Sequence, residues 1–467
     1  MLINLLILLL FAAILGQIKR GRSFVLMVSS VFIIYWLQPE TDPANFTFWI
    51  PTLTLFIVLI SWFVTASPET RINQKNKRAF FLLFISVFAI ITTRYFDFFQ
   101  PLDFFPPRPL LFFIVAFALF LVLFFITKTT KLTYFWQVGM LVAILFIFIS
   151  IRVPNLLSLI TSWGTTLLNR TLETSPRIQW FGYSYIAFRL IHTIRDKQAN
   201  RLPSVSLDEY MSYVIFFPAL SAGPIDRIQR FLPELRQPKK LESDDWVIVS
   251  KRVFLGLFKK FIIADTLASI AMNAGLVQNV QTSGWMWVIV YAYAFQIYFD
   301  FSGYTDIAIG MGRLLGIQLP ENFRNPYLKP NLAQFWNNWH ITLTQWFRAY
   351  YFNPLTRFLR KKNLPTWVTL AIVQLSTMIL IGFWHGITWN FFLWGLWHGV
   401  GLFIHNRWTN WSRQNNAEKT LSPLQENILS GANIFLTFNF VAIGWVFFAL
   451  PTPALAREAL FTLFGIA

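Results

Sequence analysis

The sequence predicts an all-α polytopic membrane protein with about eleven or twelve transmembrane helices and further re-entrant or interfacial helices. Three observations carry that expectation. Apolar residues make up 55% of the 467 and charged residues only 13%, where a water-soluble protein carries roughly 25% charged residues. Mean hydropathy is +0.52. Apolar runs recur near the ~20 residues needed to cross a bilayer. Together these exclude a soluble enzyme, a disordered chain, a coiled coil and a disulfide scaffold. A membrane β-barrel is excluded too, because its strands alternate apolar and polar residues.

Taken in order, the first run is Leu2 to Gln17. It has a signal-peptide-like core but no basic start and no small-residue cleavage site, so it is expected to remain as the first helix. Further spans are expected at 23–37, 46–66, 79–93, 109–127, 132–151, 178–194, 246–272, 284–312, 366–384, 387–405 and 432–450. Lys251, Arg252, Lys259 and Lys260 sit in 246–272, so its first half should lie amphipathic at the interface. No internal repeat and no soluble domain is visible. The chain reads as one integral-membrane unit: N-terminal helices 1–177, a core 178–405, and a C-terminal loop and helix 406–467.

Charge tests that count. The net charge is +18, which the membrane explains better than nucleic acid does, since excess Lys and Arg marks cytoplasmic loops. With the N-terminus outside, the cytoplasmic segments 19–22, 67–78, 128–131, 195–245, 313–331, 357–362 and 406–430 hold 27 Lys and Arg, against 6 in the outer segments. No nucleic-acid partner is expected.

Two stretches fit neither a span nor a plain loop. One runs from Glu209 to Arg236 and is stopped by Gly223-Pro224. The other runs from Asn331 to Lys362, aromatic-rich and basic at its end. Both read as re-entrant or interfacial helices. Non-helical backbone at membrane depth survives only where protein or a wet cavity covers it, so both point towards a cavity.

The chain has no cysteine, which excludes an acyl-cysteine intermediate and thiolate-ligated metal on this chain. Its five histidines are His192, His340, His385, His398 and His405. His192 and His405, beside Arg195 and Arg407, read as interfacial and structural. His340, His385 and His398 each follow a tryptophan inside an apolar stretch, where an ionisable group suggests a functional site. For His398 a packing role weighs equally. Haem is not supported: His385 and His398, 13 apart, point ~220° apart on a straight helix, and no second pair exists. No metal is expected. The G-x-x-x-G pairs Gly312/Gly316, Gly382/Gly386 and Gly395/Gly399 read as close helix contacts. Asp226 has Arg227 and Arg230 as neighbours to pair with. Asp300 and Asp306 could orient a histidine or a polar substrate, or carry protons.

A neutral imidazole near pKa 6.5 can take a proton from a hydroxyl as it attacks an activated acyl group. No covalent enzyme intermediate is needed if a thioester or ester donor and a hydroxyl acceptor meet in one tunnel.

At this point the chain resembles the membrane-bound O-acyltransferases. FFPALSAGPIDRIQRF, YFDFSGYTDIAIGMG, ENFRNPYLKPNLAQFWNNWHITLTQWFR and GFWHGITWNFFLWGLWHG occur in the family's order between Trp180 and His405. SAGPIDR and SYIAFRLIHTIRD are similar to the D-alanyl transfer proteins of teichoic acid modification. IADTLA, FSGYTDIAIGMG and ENFRNPY are similar to the alginate O-acetylases. The resemblance implies a central funnel that thins the protein, with His385 as principal catalytic residue and His340, 45 residues earlier, in support. Because the span count puts His385 at the outer end of a helix, a recessed hairpin is expected there. Substrate-binding candidates are Asp306, Asp300, Arg227, Trp336, Asn338 and Trp384.

The function expected is transfer of an acetyl or D-alanyl group to hydroxyls of an exported polysaccharide or cell-wall polymer. No cofactor would be bound permanently. An acyl-CoA or acyl-carrier protein would serve as co-substrate on the cytoplasmic side. Membrane lipids, an extracytoplasmic acyltransferase and polymer-export proteins would be partners, and the protein would lie in the cell membrane as a multi-pass chain. The rival class, a transporter or flippase for a lipid-linked or acyl substrate, would show inverted repeats with paired broken helices; none is apparent.

Overall fold

The computed structural model describes residues 2–39, 45–95, 108–128, 133–153, 156, 179–238, 241–415 and 422–466. Outside them lie the expected span ends at 132 and 178 and parts of three expected cytoplasmic loops, 129–131, 239–240 and 416–421. Among the described residues the chain is helical, with no strand. It forms two compact units, residues 1–249 with 310–319, and residues 250–309 with 320–467.

The first unit holds α1 (Leu2–Gly16), α2 (Arg22–Trp36), α3 (Asn45–Thr65), α4 (Pro68–Ile72), α5 (Gln74–Thr92), α6 (Pro109–Lys128), α7 (Thr133–Arg152), α8 (Tyr183–Gln198), α9 (Leu207–Val214), α10 (Ile228–Arg236) and the start of α11 (Ser243–Leu257). Its core is built on α2, α3, α8 and α9, where Leu26, Val58, Trp62, Ile186 and Tyr210 are buried. By contrast α6 and α7 are apolar on nearly every side and mostly exposed. Such helices need lipid around them.

The expected re-entrant stretch Glu209–Arg236 is a broken helix. Its start is fixed by a capping box: the Glu209 carboxylate accepts the Ser206 N–H at 3.1 Å. Every residue of α9 is buried. After Val214 the helix stops, and the freed carbonyls are met by Arg189, buried on α8. Its guanidinium donates to the Val214 carbonyl at 2.8 Å and the Ala219 carbonyl at 2.7 Å. The return strand of chain is tied by the Tyr213 hydroxyl donating to the Asp226 carbonyl at 2.7 Å. Covered and hydrogen-bonded in this way, irregular backbone is stable without water.

The second unit continues α11 into a π-helical segment, Phe258–Ala264, followed by α12 (Asp265–Ala268), α13 (Ala274–Asn279) and α14 (Ser283–Leu314). Next come α15 (Leu332–Asn338), α16 (Ile341–Phe347), a π-helical Arg348–Phe352, α17 (Asn353–Arg360), α18 (Thr366–His385), α19 (Trp389–Asn415), α20 (Pro423–Ala449) and α21 (Pro453–Leu463). Along α11 and the π-helical segment, Phe254, Phe258 and Ile262 form an exposed apolar row, the pattern of a helix lying in a membrane interface.

Among the described residues each of the twelve expected spans overlaps a helix, that of 178–194 starting only at Tyr183. Among the described residues, five helices are long and apolar enough to cross by length and composition, in α3, α6, α7, α18 and α20, and α1 and α2 are shorter apolar helices. Of the others, α8 and α14 carry polar groups that find partners inside the protein. Thus α8 holds Arg189 and His192, and α14 holds Asp300, Asp306 and Arg313.

The hairpin of α18 and α19 is closely packed, and two glycines show why. A Cβ on Gly395 would lie 2.6 Å from the Met378 carbonyl oxygen, and one on Gly382 would collide with that of Phe391. Gly399 likewise faces the backbone at Leu375. These are the expected helix contacts. The other expected pairs differ. Gly386 faces the Phe391 ring, and Gly316, at φ +64°, turns the chain just after α14.

Candidate functional site

The site grows from the second broken helix. Asn331 caps α15, its side chain accepting the Gln334 N–H at 2.9 Å. At His340 the backbone takes φ +42° and ψ +54°, a left-handed conformation uncommon for a residue with a side chain. It ends α15 and starts α16. The His340 ring is buried, edge-on to Phe301 with centroids 4.7 Å apart and 5.9 Å from Trp384. Neither of its ring nitrogens has a hydrogen-bond partner.

Trp384 lies on the last turn of α18, and His385 is that helix's final residue. Their ring centroids are 4.5 Å apart. The structure therefore brings the two predicted histidines to one indole. His385 is half-buried, against Phe448 at 4.7 Å, Trp394 at 5.5 Å and Phe391 at 6.0 Å. The turn that follows it is tight, with the Thr388 N–H on the Gly386 carbonyl at 3.0 Å.

A second tier of polar rings adjoins the first. Trp336 and Trp394 each lie 5.1 Å from His398 and 5.7 Å from each other. All three are buried, and none of their ring nitrogens has a partner. Each such group bears its full desolvation cost, about 1–3 kcal/mol. Buried polar groups left unpaired in a native site call for a water, an ion or a ligand.

Beside them is a cavity of about 170 Å³, lined by Trp336, Asn337, Thr344, Phe347, Arg348, Gln374, Met378 and Ile381 among others. Trp336 Nε1, Thr344 Oγ1 and Gln374 Oε1 are all buried and unpartnered. Arg348 is exposed and donates to Asn337 Oδ1 at 2.6 Å. The lining thus offers hydrogen-bond donors, an acceptor, apolar walls and one cation.

The other predicted residues lie elsewhere. Asp306 is held by Arg252 and Lys259, each at 2.7 Å, and Asp300 by Lys260 at 2.5 Å. Arg252 also pairs with Glu321. Arg252, Lys259, Asp306 and Glu321 form one compensated network, and Lys260 with Asp300 a separate pair. Asn338 is spent on backbone: its Nδ2 donates to the Gln334 carbonyl at 2.8 Å. Arg227, in the first unit, is exposed, and its N–H caps Asp226 at 2.8 Å. Asp226 is chelated by Arg230, the pairing its sequence neighbours suggested.

His192, expected to be interfacial and structural, lies inside the protein. It is fully buried, because the Tyr213 hydroxyl, 3.0 Å from its Nε2, gives it a partner inside the protein. His405 is half-buried on α19. Among the described residues no group of three or more His, Asp or Glu could hold a metal ion.

Sequence reasoning passed over Thr344, Gln374 and Asn322. Gln374 had a signal, as a lone amide within the apolar run of α18. The other two had none at the level of composition.

A family model described as MBOAT, the membrane-bound O-acyltransferase family, matches residues 111–452. The chain is 32% identical over 294 residues to a teichoic acid D-alanyltransferase of Streptococcus thermophilus, covering 59% of this chain and 69% of that one. It is 35% identical over 297 residues to a probable alginate O-acetylase AlgI of Pseudomonas aeruginosa, covering 63% and 53%. A peptidoglycan O-acetyltransferase of Helicobacter pylori is 35% identical over 265 residues, covering 55% and 47%. The chain spans about half the length of the last two.

Proposed function

The chain belongs to the membrane-bound O-acyltransferase family, and we propose that it moves an acetyl or D-alanyl group from a thioester donor to hydroxyls of an exported polysaccharide or cell-wall polymer. The observation that carries this reading is the convergence of His340 and His385 on Trp384, beside a cavity with unsatisfied polar walls.

In this reading a neutral ring nitrogen of His385 takes the acceptor's hydroxyl proton as the oxygen attacks the acyl carbon. The C–O bond forms and the C–S bond breaks. The imidazolium then gives its proton to the departing thiolate, leaving a thiol and restoring neutral His385. His340 orients the substrate or stabilises charge that develops on the carbonyl oxygen. The cavity seats the donor's arm. Gln374 and Thr344 suit amide groups, and Arg348 suits a phosphate at the mouth. Trp336 lines the cavity, and Trp384 stands between the two histidines. Asp300, Asp306, Asn338 and Arg227 serve the scaffold. A carrier protein or coenzyme A would arrive from the cytoplasm, and polymer-export proteins would act on the other side.

Mass spectrometry of ester-linked groups on surface polymers tests the reading. Cells with the gene should carry acetyl or D-alanyl esters that cells without it lack. Asn and Gln approximate the imidazole's size but cannot take up a proton near neutral pH. His385→Gln and His385→Asn should therefore accumulate in the membrane and restore almost no ester. Near-normal esterification by His385→Gln would remove the general-base role and shift weight to transport.

A further inference from the structure

His340 holds an uncommon backbone conformation, and the segment before it shows what holds it there. Asn322 is fully buried. Its Oδ1 accepts two hydrogen bonds from Thr342, from the hydroxyl at 2.6 Å and from the N–H at 3.2 Å. Its carbonyl accepts the Ile341 N–H at 3.0 Å, and the Arg324 N–H donates to the Asn338 carbonyl at 3.1 Å. Between them Phe323 packs its ring on Phe301 at 5.0 Å and on Trp339 at 5.1 Å. The 322–324 segment is thus fastened to both sides of the left-handed residue.

The hydrogen bonds matter because the corner cannot hold itself. At the start of a helix the first N–H groups have no intrahelical partner. Here two of them, from Ile341 and Thr342, go to Asn322. Without those acceptors, 338–342 gains by joining α15 and α16 as one right-handed helix, which the side chain of His340 prefers. His340 would then leave its place between Phe301 and Trp384.

We infer that Asn322 is a positioning residue, one that keeps His340 against Trp384 by clamping the left-handed corner. It touches no reacting atom in this assignment. The inference rests on the reading that His340 serves acyl transfer.

The test measures the rate at which ester-linked acetyl or D-alanyl groups accumulate on surface polymers in a strain lacking the native gene, complemented with variants at matched membrane levels. Asn322→Ala should slow accumulation by roughly 10- to 100-fold, the effect of a displaced catalytic group. Asn322→Asp keeps the acceptor oxygen and should recover part of that loss. The double variant Asn322→Ala/His340→Ala should be no slower than His340→Ala alone, because Asn322 acts only through His340. Additive losses would overturn the inference, as would a normal rate in Asn322→Ala beside an inactive His340→Ala. A fully active His340→Ala would instead overturn the reading beneath it. If Asn322→Ala fails to accumulate, Thr342→Val decides. It removes one of the two bonds to Oδ1, so a several-fold loss supports the clamp and an unchanged rate overturns it.

Discussion

The chain breaks a helix after Val214 in the first unit and at Trp339–His340 in the second, and the two breaks are finished differently. At the first, most polar groups are matched, with Ser206 Oγ an exception. Arg189 takes the loose carbonyls, Arg230 takes Asp226, Arg236 takes Glu209 at 2.8 Å, and Lys75 lies 3.3 Å from Asp208. The buried histidine there, His192, meets the Tyr213 hydroxyl. At the second break the backbone is clamped by Asn322, yet His340, Trp336, Thr344 and nearby His398 keep buried polar atoms with no partner. A folded chain tolerates that cost where a ligand or water completes the set. The first break reads as scaffold and the second as site.

That contrast can be broken most directly at Arg189. Arg189→Leu would leave the Val214 and Ala219 carbonyls buried and unpaired. At about 1–3 kcal/mol each, the loss is a large share of a typical stability of 5–15 kcal/mol. The variant should fall several-fold in membrane accumulation, read by immunoblot and by gel filtration in detergent. Normal accumulation with lost activity would move the first break from scaffold to site.

A smaller effect is expected at the second break. Gln374→Leu and Thr344→Val each replace an unpartnered polar group with an apolar one. Purified in detergent and assayed with acetyl-CoA or a D-alanyl carrier protein, they should raise the KM for donor by roughly 10-fold, about 1.4 kcal/mol. Their kcat and melting temperature should stay near those of the parent. A lower melting temperature with unchanged KM would make the cavity a packing feature.

The smallest effect concerns pH. Burial pushes the Glu209 carboxyl up, but the Arg236 guanidinium, the Ser206 N–H and Lys75 outweigh it and hold the pKa down to about 2. The unfolded value is ~4.3. A carboxylate lowered in the folded state stabilises fully above the unfolded value and progressively less as pH falls towards the folded one. The melting temperature in detergent should therefore drop between about pH 4.3 and 2, and the drop should be shallower in Glu209→Gln. Equal slopes would show that the pair contributes nothing measurable. The expected shift is a degree or two, since Arg236 is partly exposed and solvent screens the pair.

Much of this contrast was legible in advance. Apolar runs placed a helix at each of the twelve expected spans, because a membrane rewards length and apolarity over any particular residue. The polar interruptions of 331–362 marked the second break, whereas the first comes after Val214, nine residues before the Gly223-Pro224 pair expected to stop the stretch. Trp-His pairs in apolar runs marked His340, His385 and His398. The fate of the carboxylates was not legible: Asp300 and Asp306 look free along the chain, and only folding brings Lys260, Lys259 and Arg252 to them from 40 to 54 residues away.

The sequence by itself determined the solvent, the helical class and the candidate histidines, since each follows from local composition and the cost of polar groups in lipid. Only the tertiary structure decided which of those residues remain open to a substrate. Pairing is a matter of distance between segments remote in sequence. It closed the set at Asp226, His192, Asp300 and Asp306, and left it open around His340, Trp336 and the cavity beside them.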